Sequence, residues 1–168
     1  MSDIETTLAD HHKAVDEFVA AARTLDAAKW TTPRAPGKWT PAQIAEHLAI
    51  TYEYNRGVVA GTASGGAPFF LRPLIRRFIV DSTLKAGRFT RTGRTPKIFE
   101  PSAAPGPSGQ VLARLQSAVA AFEGDVRTGQ REGREVVNHP FFGKLPASDY
   151  LRLQAIHSRH HRPQLPSA

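Results

Sequence analysis

The strongest constraint in this sequence is the spacing of its apolar residues, which recur every three or four positions in several segments and nowhere alternate convincingly. Such spacing lines one face of a helix, whereas a half-buried strand needs a period of two. Residues 3–29 carry Ile4, Leu8, Val15, Phe18, Val19, Ala22 and Leu25 in this pattern and are expected to form one helix. Pro33, Pro36 and Gly37 then turn the chain. Thr40-Pro41-Ala42-Gln43 reads as a helix start: Thr40 caps, Pro41 suits the first position and Gln43 completes a capping box. This second helix runs to about Val59 before the breakers from Gly61 to Pro68.

Phe69 to Leu84 reads as a shorter helix. Leu71, Leu74, Ile75, Phe78 and Ile79 form its apolar stripe, expected to pack inward, with arginines on the other side. A long loop rich in Gly, Pro, Ser and Thr follows from about Lys85 to Gln110; loops of this length are lids, binding loops or disorder. Ser108 is expected to cap a helix to about Arg127, through Val111, Leu112, Leu115, Val119 and Phe122. Asn138 to Gly143 reads as an apolar loop that packs down, and Ser148 starts a last helix ending near Pro163. Four main helices and a short one predict an all-α four-helix bundle, with residues 1–168 as one domain.

Composition narrows the function classes. At 168 residues with 40% apolar content the chain can bury a core. It has no cysteine, which removes disulfides, thiolate metal sites and a cysteine nucleophile, and suits a reducing, cytoplasmic location. No apolar run is long enough for a transmembrane helix, and the acidic, mixed start MSDIETTLADHHKAVDEF does not read as a signal peptide. The net charge of +7 is local. Arg72, Arg76, Arg77, Lys85, Arg88, Arg91, Arg94 and Lys97 face a single acid, Asp81, between Leu71 and Ile98, and the remainder is charge-balanced.

The chemistry concentrates in histidines. On the last helix His157 and His161 stand about 40° apart, nearly opposite Arg152 and Arg159, and so point inward. An i, i+4 pair of imidazoles can share one metal. His47 lies on the apolar side of the second helix among Ile44, Ile50, Tyr54 and Val58. Alone it reads as a core histidine with a hydrogen-bond partner; facing the inward pair it is equally a candidate third ligand, since unsatisfied imidazole nitrogens are costly to bury. Histidine-only ligation suits zinc, nickel, copper or iron. His160 falls further round the helix, and His11, His12 and His139 have weaker claims. Tyr54, two turns beyond His47, is a candidate for orienting substrate. Gln164 and Glu46 are candidates to support the ligands, although Glu46 lies on the solvent side.

Two of these stretches, GKWTPAQIAEHLAI and HSRHHRPQL, resemble the DinB-like superfamily of metal-binding four-helix bundles, which includes metal-dependent hydrolases and thiol transferases. Trp39 with His47 matches the family's Trp-x7-His arrangement, and His157, His160, His161 and Gln164 match its terminal His-x-x-His-His-x-x-Gln pattern. The resemblance implies a divalent metal, commonly zinc or nickel, held by three histidines that here are His47, His157 and His161. It also implies a long connection within the bundle, frequent homodimers, and activation of a water or a low-molecular-weight thiol. The basic segment is no part of the family pattern.

The expected function is therefore a metal-dependent hydrolase or thiol transferase acting on a small molecule, with no general base assigned. Because the chain lacks cysteine, any thiol is a substrate. Arg88, Arg91 and Arg94 are candidates to hold an anionic substrate. The competing readings are metal binding without catalysis, nucleic-acid or anion binding by the Arg72–Lys97 segment, and membrane-surface contact by the Leu71–Leu84 helix. No nucleic-acid motif supports the second, and bundle packing accounts equally for the stripe behind the third.

Overall fold

The computed structural model describes residues 3–90 and 93–167. Its frame is four long helices: α1 (Asp3–Arg23), α3 (Pro41–Ala60), α6 (Ser108–Arg131) and α7 (Ala147–His161). Helix α1 lies along α7, and α3 lies along α6. Phe18, Leu48, Leu115, Phe122 and Leu151 fill the space between them with Tyr52 and Tyr150, all fully buried. Each such side chain contributes about 1.5–3 kcal/mol of transfer free energy. No helix among the described residues is long and apolar enough to cross a membrane.

The start of α3 matches its capping signals: Gln43 N–H donates to Thr40 Oγ1 at 3.2 Å, and Thr40 N–H to Gln43 Oε1 at 3.0 Å. Gly61 ends the helix in the left-handed conformation, with φ of 75°.

The first expected helix is two. It breaks after Arg23, because Asp26 turns its carboxylate onto Lys29 N–H at 2.7 Å and caps the short α2 (Ala27–Thr31). The break places Trp30 in the core, where its indole N–H donates to Gly106 O at 3.2 Å. Ser108 does not cap α6: Pro107 holds the cap position, without a side-chain bond.

The 129–146 connection contains a β-hairpin that the spacing does not reveal. β1 (Val136–His139) pairs antiparallel with β2 (Gly143–Pro146), Val137 opposite Leu145. Val137, His139 and Leu145 point inward. Two strands of four residues are too short to display a period, and a histidine at an inward position disguises it further. The loop before Arg72 packs on the hairpin tip: Ala67 N–H donates to Pro140 O at 3.2 Å, and Gly66 passes where any Cβ would strike Pro140.

The basic helix also departs from expectation. Residues 72–86 form α4 (Arg72–Ile75), a π-helical turn (Arg76–Asp81) and α5 (Ser82–Ala86). Val80 and Thr83 face the body, while the apolar stripe does not pack inward. Arg72 Nε donates to Ala67 O at 2.9 Å and Arg76 to Lys144 O at 2.6 Å, so arginines seat this helix. Apart from half-buried Ile75 the stripe remains exposed, Leu74 by 54% and Phe78 by 46%.

Candidate metal site

His47 enters from α3, and His157 and His161 enter from α7. Their Nε2 atoms converge: His47 to His157 at 3.2 Å and His161 to His157 at 3.1 Å. These three form the group able to hold a metal ion among the described residues, each offering one atom within 4.8 Å of the others. His47 and His161 are buried and His157 is half-buried.

The tautomers follow from the outer partners. The Phe99 carbonyl only accepts, so His47 Nδ1 donates to it, at 2.8 Å, and leaves Nε2 as a lone pair. Gln164 Nε2 donates to His160 O at 3.1 Å, which turns its Oε1 toward His161 Nδ1 at 3.3 Å. His161 Nδ1 therefore carries the proton, and its Nε2 is also bare. Two lone pairs thus face His157 Nε2, which carries at most one proton while neutral. One cation among the three nitrogens satisfies all of them at once, with carbonyls behind the imidazoles as metal-bound histidines require. The donor set fits a divalent metal.

The electrostatics agree. Burial lowers the His47 pKa, against a smaller opposing effect of the Phe99 bond. Burial, then His47 and His160, lowers His161 to about 3. Burial, then His161 and His47, holds His157 well below the usual imidazole range. All three are neutral at pH 7, the state a metal needs.

Other candidates take distinct places. Trp39 packs on His47 with ring centroids 5.0 Å apart. His160 touches His161 and Phe89 by ring edges, each at 5.2 Å, rather than joining the trio. The Tyr54 hydroxyl donates to Ser64 O at 3.3 Å and its ring meets Phe99 at 5.0 Å, so its link to His47 runs through Phe99. Glu46 accepts from Ser102 N–H at 2.6 Å and from its hydroxyl at 2.8 Å, which ties the long loop to α3. Arg88 and Arg94 are exposed, Arg94 lying 3.9 Å from Glu100; Arg91 lies outside the described residues.

Sequence spacing missed the loop residues that cover the site. Phe89 packs its ring edge to face with His157, centroids 5.8 Å apart, and Phe99 supplies the carbonyl behind His47. It also missed a buried chain through the four main helices. Burial pushes the Glu123 carboxyl up, but bonds from His11 and His12 outweigh it and hold it below the usual range. The carboxylate accepts from His11 Nδ1 at 2.8 Å, and His11 Nε2 accepts from Tyr52 at 2.8 Å. Tyr52 in turn accepts from Ser158 at 3.0 Å. This chain bonds Tyr52 of α3 to Ser158 of α7, the residue next to His157; in the sequence His11 carried only a weak claim.

Gln164→Ala is expected to lower metal affinity about 10–100-fold by freeing the His161 ring, and His160→Ala to lower it less. A competition titration against a chromophoric chelator measures both.

The DinB superfamily model matches residues 11–165. No curated protein matches the chain significantly. Among solved structures, the four-helix bundle protein TT2238 superposes with a TM-score of 0.59 at 24% identity, covering 96% of this chain and 97% of that one. YfiT from Bacillus subtilis, a probable metal-dependent hydrolase with an unusual four-helix bundle topology, superposes at 0.57 and 16% identity, covering 96% of this chain and 83% of that one. At these identities the two likenesses show the bundle fold. The family match spans nearly the whole chain and contains all three converging histidines, and the chain belongs to the DinB superfamily.

Proposed function

We propose that this protein is a metal-dependent enzyme that binds one divalent cation, zinc or nickel, through His47, His157 and His161, and activates a water or a low-molecular-weight thiol against a small electrophilic substrate. The observation that carries the reading is the convergence of three neutral Nε2 atoms, two of them fixed as lone pairs by Phe99 O and Gln164. Held by neutral imidazoles, such a cation keeps its full charge and lowers the pKa of a water, to about 7 for zinc, or of a thiol. The protein's own residues position and screen. Phe99 O and Gln164 fix two imidazole rings, and Trp39 packs beside His47. Phe89 restricts water at His157, the half-buried member and so the side from which substrate enters. Arg88, Arg91 and Arg94, in the segment that carries Phe89, select an anionic substrate or the carboxylates of a thiol cofactor. Any thiol comes from outside, as the chain has no cysteine.

The test screens metal-loaded protein against several thiols paired with electrophiles, and against the electrophiles alone in water. Turnover is expected to require metal, to stop on chelation, and to fall to the uncatalysed background in His157→Ala. Turnover that survives chelation contradicts the proposal. Metal binding with no turnover for any pair reduces the site to a binding one.

A further inference from the structure

The helical segment 72–86 and the two phenylalanines before it are turned inside out relative to an ordinary bundle helix. Arg72 and Arg76 face the body and seat the segment on Ala67 O and Lys144 O. Phe69 is 79% exposed, Phe70 66%, Leu74 54%, and Leu71 and Ile79 39% each. These five large apolar side chains, left exposed within residues 69–79, mark a site of association. Along it stand Arg77, Lys85 and Arg88, all exposed and without an ion pair among the described residues. Asp81, the sole acid between Leu71 and Ile98, lies 3.4 Å from Arg76.

We propose that this face docks on an anionic lipid surface, with Phe69, Phe70, Leu71, Leu74 and Ile79 inserted at the headgroup boundary and Arg77 and Lys85 against lipid phosphates. Two observations select this occupant. First, the charge: a second copy in a two-fold contact brings the same patch against itself, and with it the same unpaired cations. A surface of anionic lipids complements them, each basic residue near it contributing about five-fold in affinity. Second, the shape: Phe69 and Phe70 stand clear of the body, their rings meeting only edge to face at 5.8 Å. A bilayer receives protruding aromatics without preformed pockets, as it does for helices that lie in the interface plane. The segment is too short to span a bilayer, and the contact is superficial. Nothing in this inference depends on the histidine site.

The experiment is co-sedimentation of the full-length protein with phosphatidylcholine vesicles, with and without added phosphatidylglycerol. Binding is expected to the anionic vesicles alone and to weaken as salt rises. The exposed-face variant Phe69→Ser/Phe70→Ser/Leu74→Ser abolishes it, with the helical circular-dichroism signal unchanged. Arg77→Gln/Lys85→Gln lowers partitioning by roughly thirty-fold. Absence of binding to anionic vesicles at low salt overturns the proposal, as does binding that the triple variant retains. Sedimentation velocity without lipid supplies the remaining outcome: a wild-type dimer that the triple variant converts to monomer assigns the face to a second copy and overturns the lipid assignment.

Discussion

Metal-free protein taken from pH 7 to pH 5 loses a large part of its folding stability. The sign follows from the direction of the histidine shifts. His139 in the hairpin is lowered from 6.5 to about 4, by burial and then by the Arg72 charge, and His161 is lowered to about 3. In the unfolded chain both titrate near 6.5, so between that value and their folded pKa the unfolded state binds more protons and gains. At pH 5 each withdraws roughly 2 kcal/mol, at 1.36 kcal/mol per pH unit. His157 and His47 act in the same direction. Against the 5–15 kcal/mol typical of a folded domain, roughly 4 kcal/mol from the first two alone is a large share. Asp10, held down chiefly by the Arg159 hydrogen bond, and the lowered Glu123 withdraw stability only below their ordinary values of 3.8 and 4.5. The loss between pH 6.5 and 5 therefore belongs to histidines. Urea unfolding across this range measures it, and His47→Leu/His157→Leu/His161→Leu should flatten most of the slope. A stability that stays level to pH 5 in the metal-free wild type contradicts the buried, neutral trio.

The second large effect is thermal. A cation that binds only the folded chain stabilises it by about 4 kcal/mol at a thousand times its dissociation constant. For a chain of this size that raises Tm by about 8–16 °C, at roughly 2–4 °C per kcal/mol. Because protons and metal compete for the same Nε2 atoms, the metal also moves the acid transition to lower pH. His157→Ala removes the nitrogen that lies within 3.2 Å of both others. It is expected to abolish the Tm shift, while His12→Ala, at the exposed end of the Glu123 network, leaves it intact. A shift in His157→Ala equal to that of the wild type contradicts the assignment.

Several features were legible in the chain because local chemistry decides them. Thr40, Pro41 and Gln43 announce α3 through bonds made within one turn, and these form as expected. His157 and His161 share a face because helix geometry requires it, and the apolar neighbours of His47 turn it toward them. What stayed hidden depends on distant partners. Asp26 interrupts the first helix because capping α2 lets Trp30 reach Gly106, a contact seventy-six residues away that spacing does not encode. Phe99 acts through a backbone carbonyl, which has no residue signature. The stripe of 71–79 shows that one face of its helix is apolar but not which way that face turns. Arg72 and Arg76 decide that by bonding the carbonyls of Ala67 and Lys144.

His47, His157 and His161 are proposed to hold one metal ion together. Elemental analysis of the purified protein, after equilibration with zinc or nickel and removal of excess ion, tests it most directly. The wild type is expected to retain about one ion per chain. His47→Ala, His157→Ala and His161→Ala are each expected to retain less than about a tenth of that, because two imidazoles hold such an ion poorly. Full occupancy in His157→Ala, or no retained metal in the wild type, would contradict it.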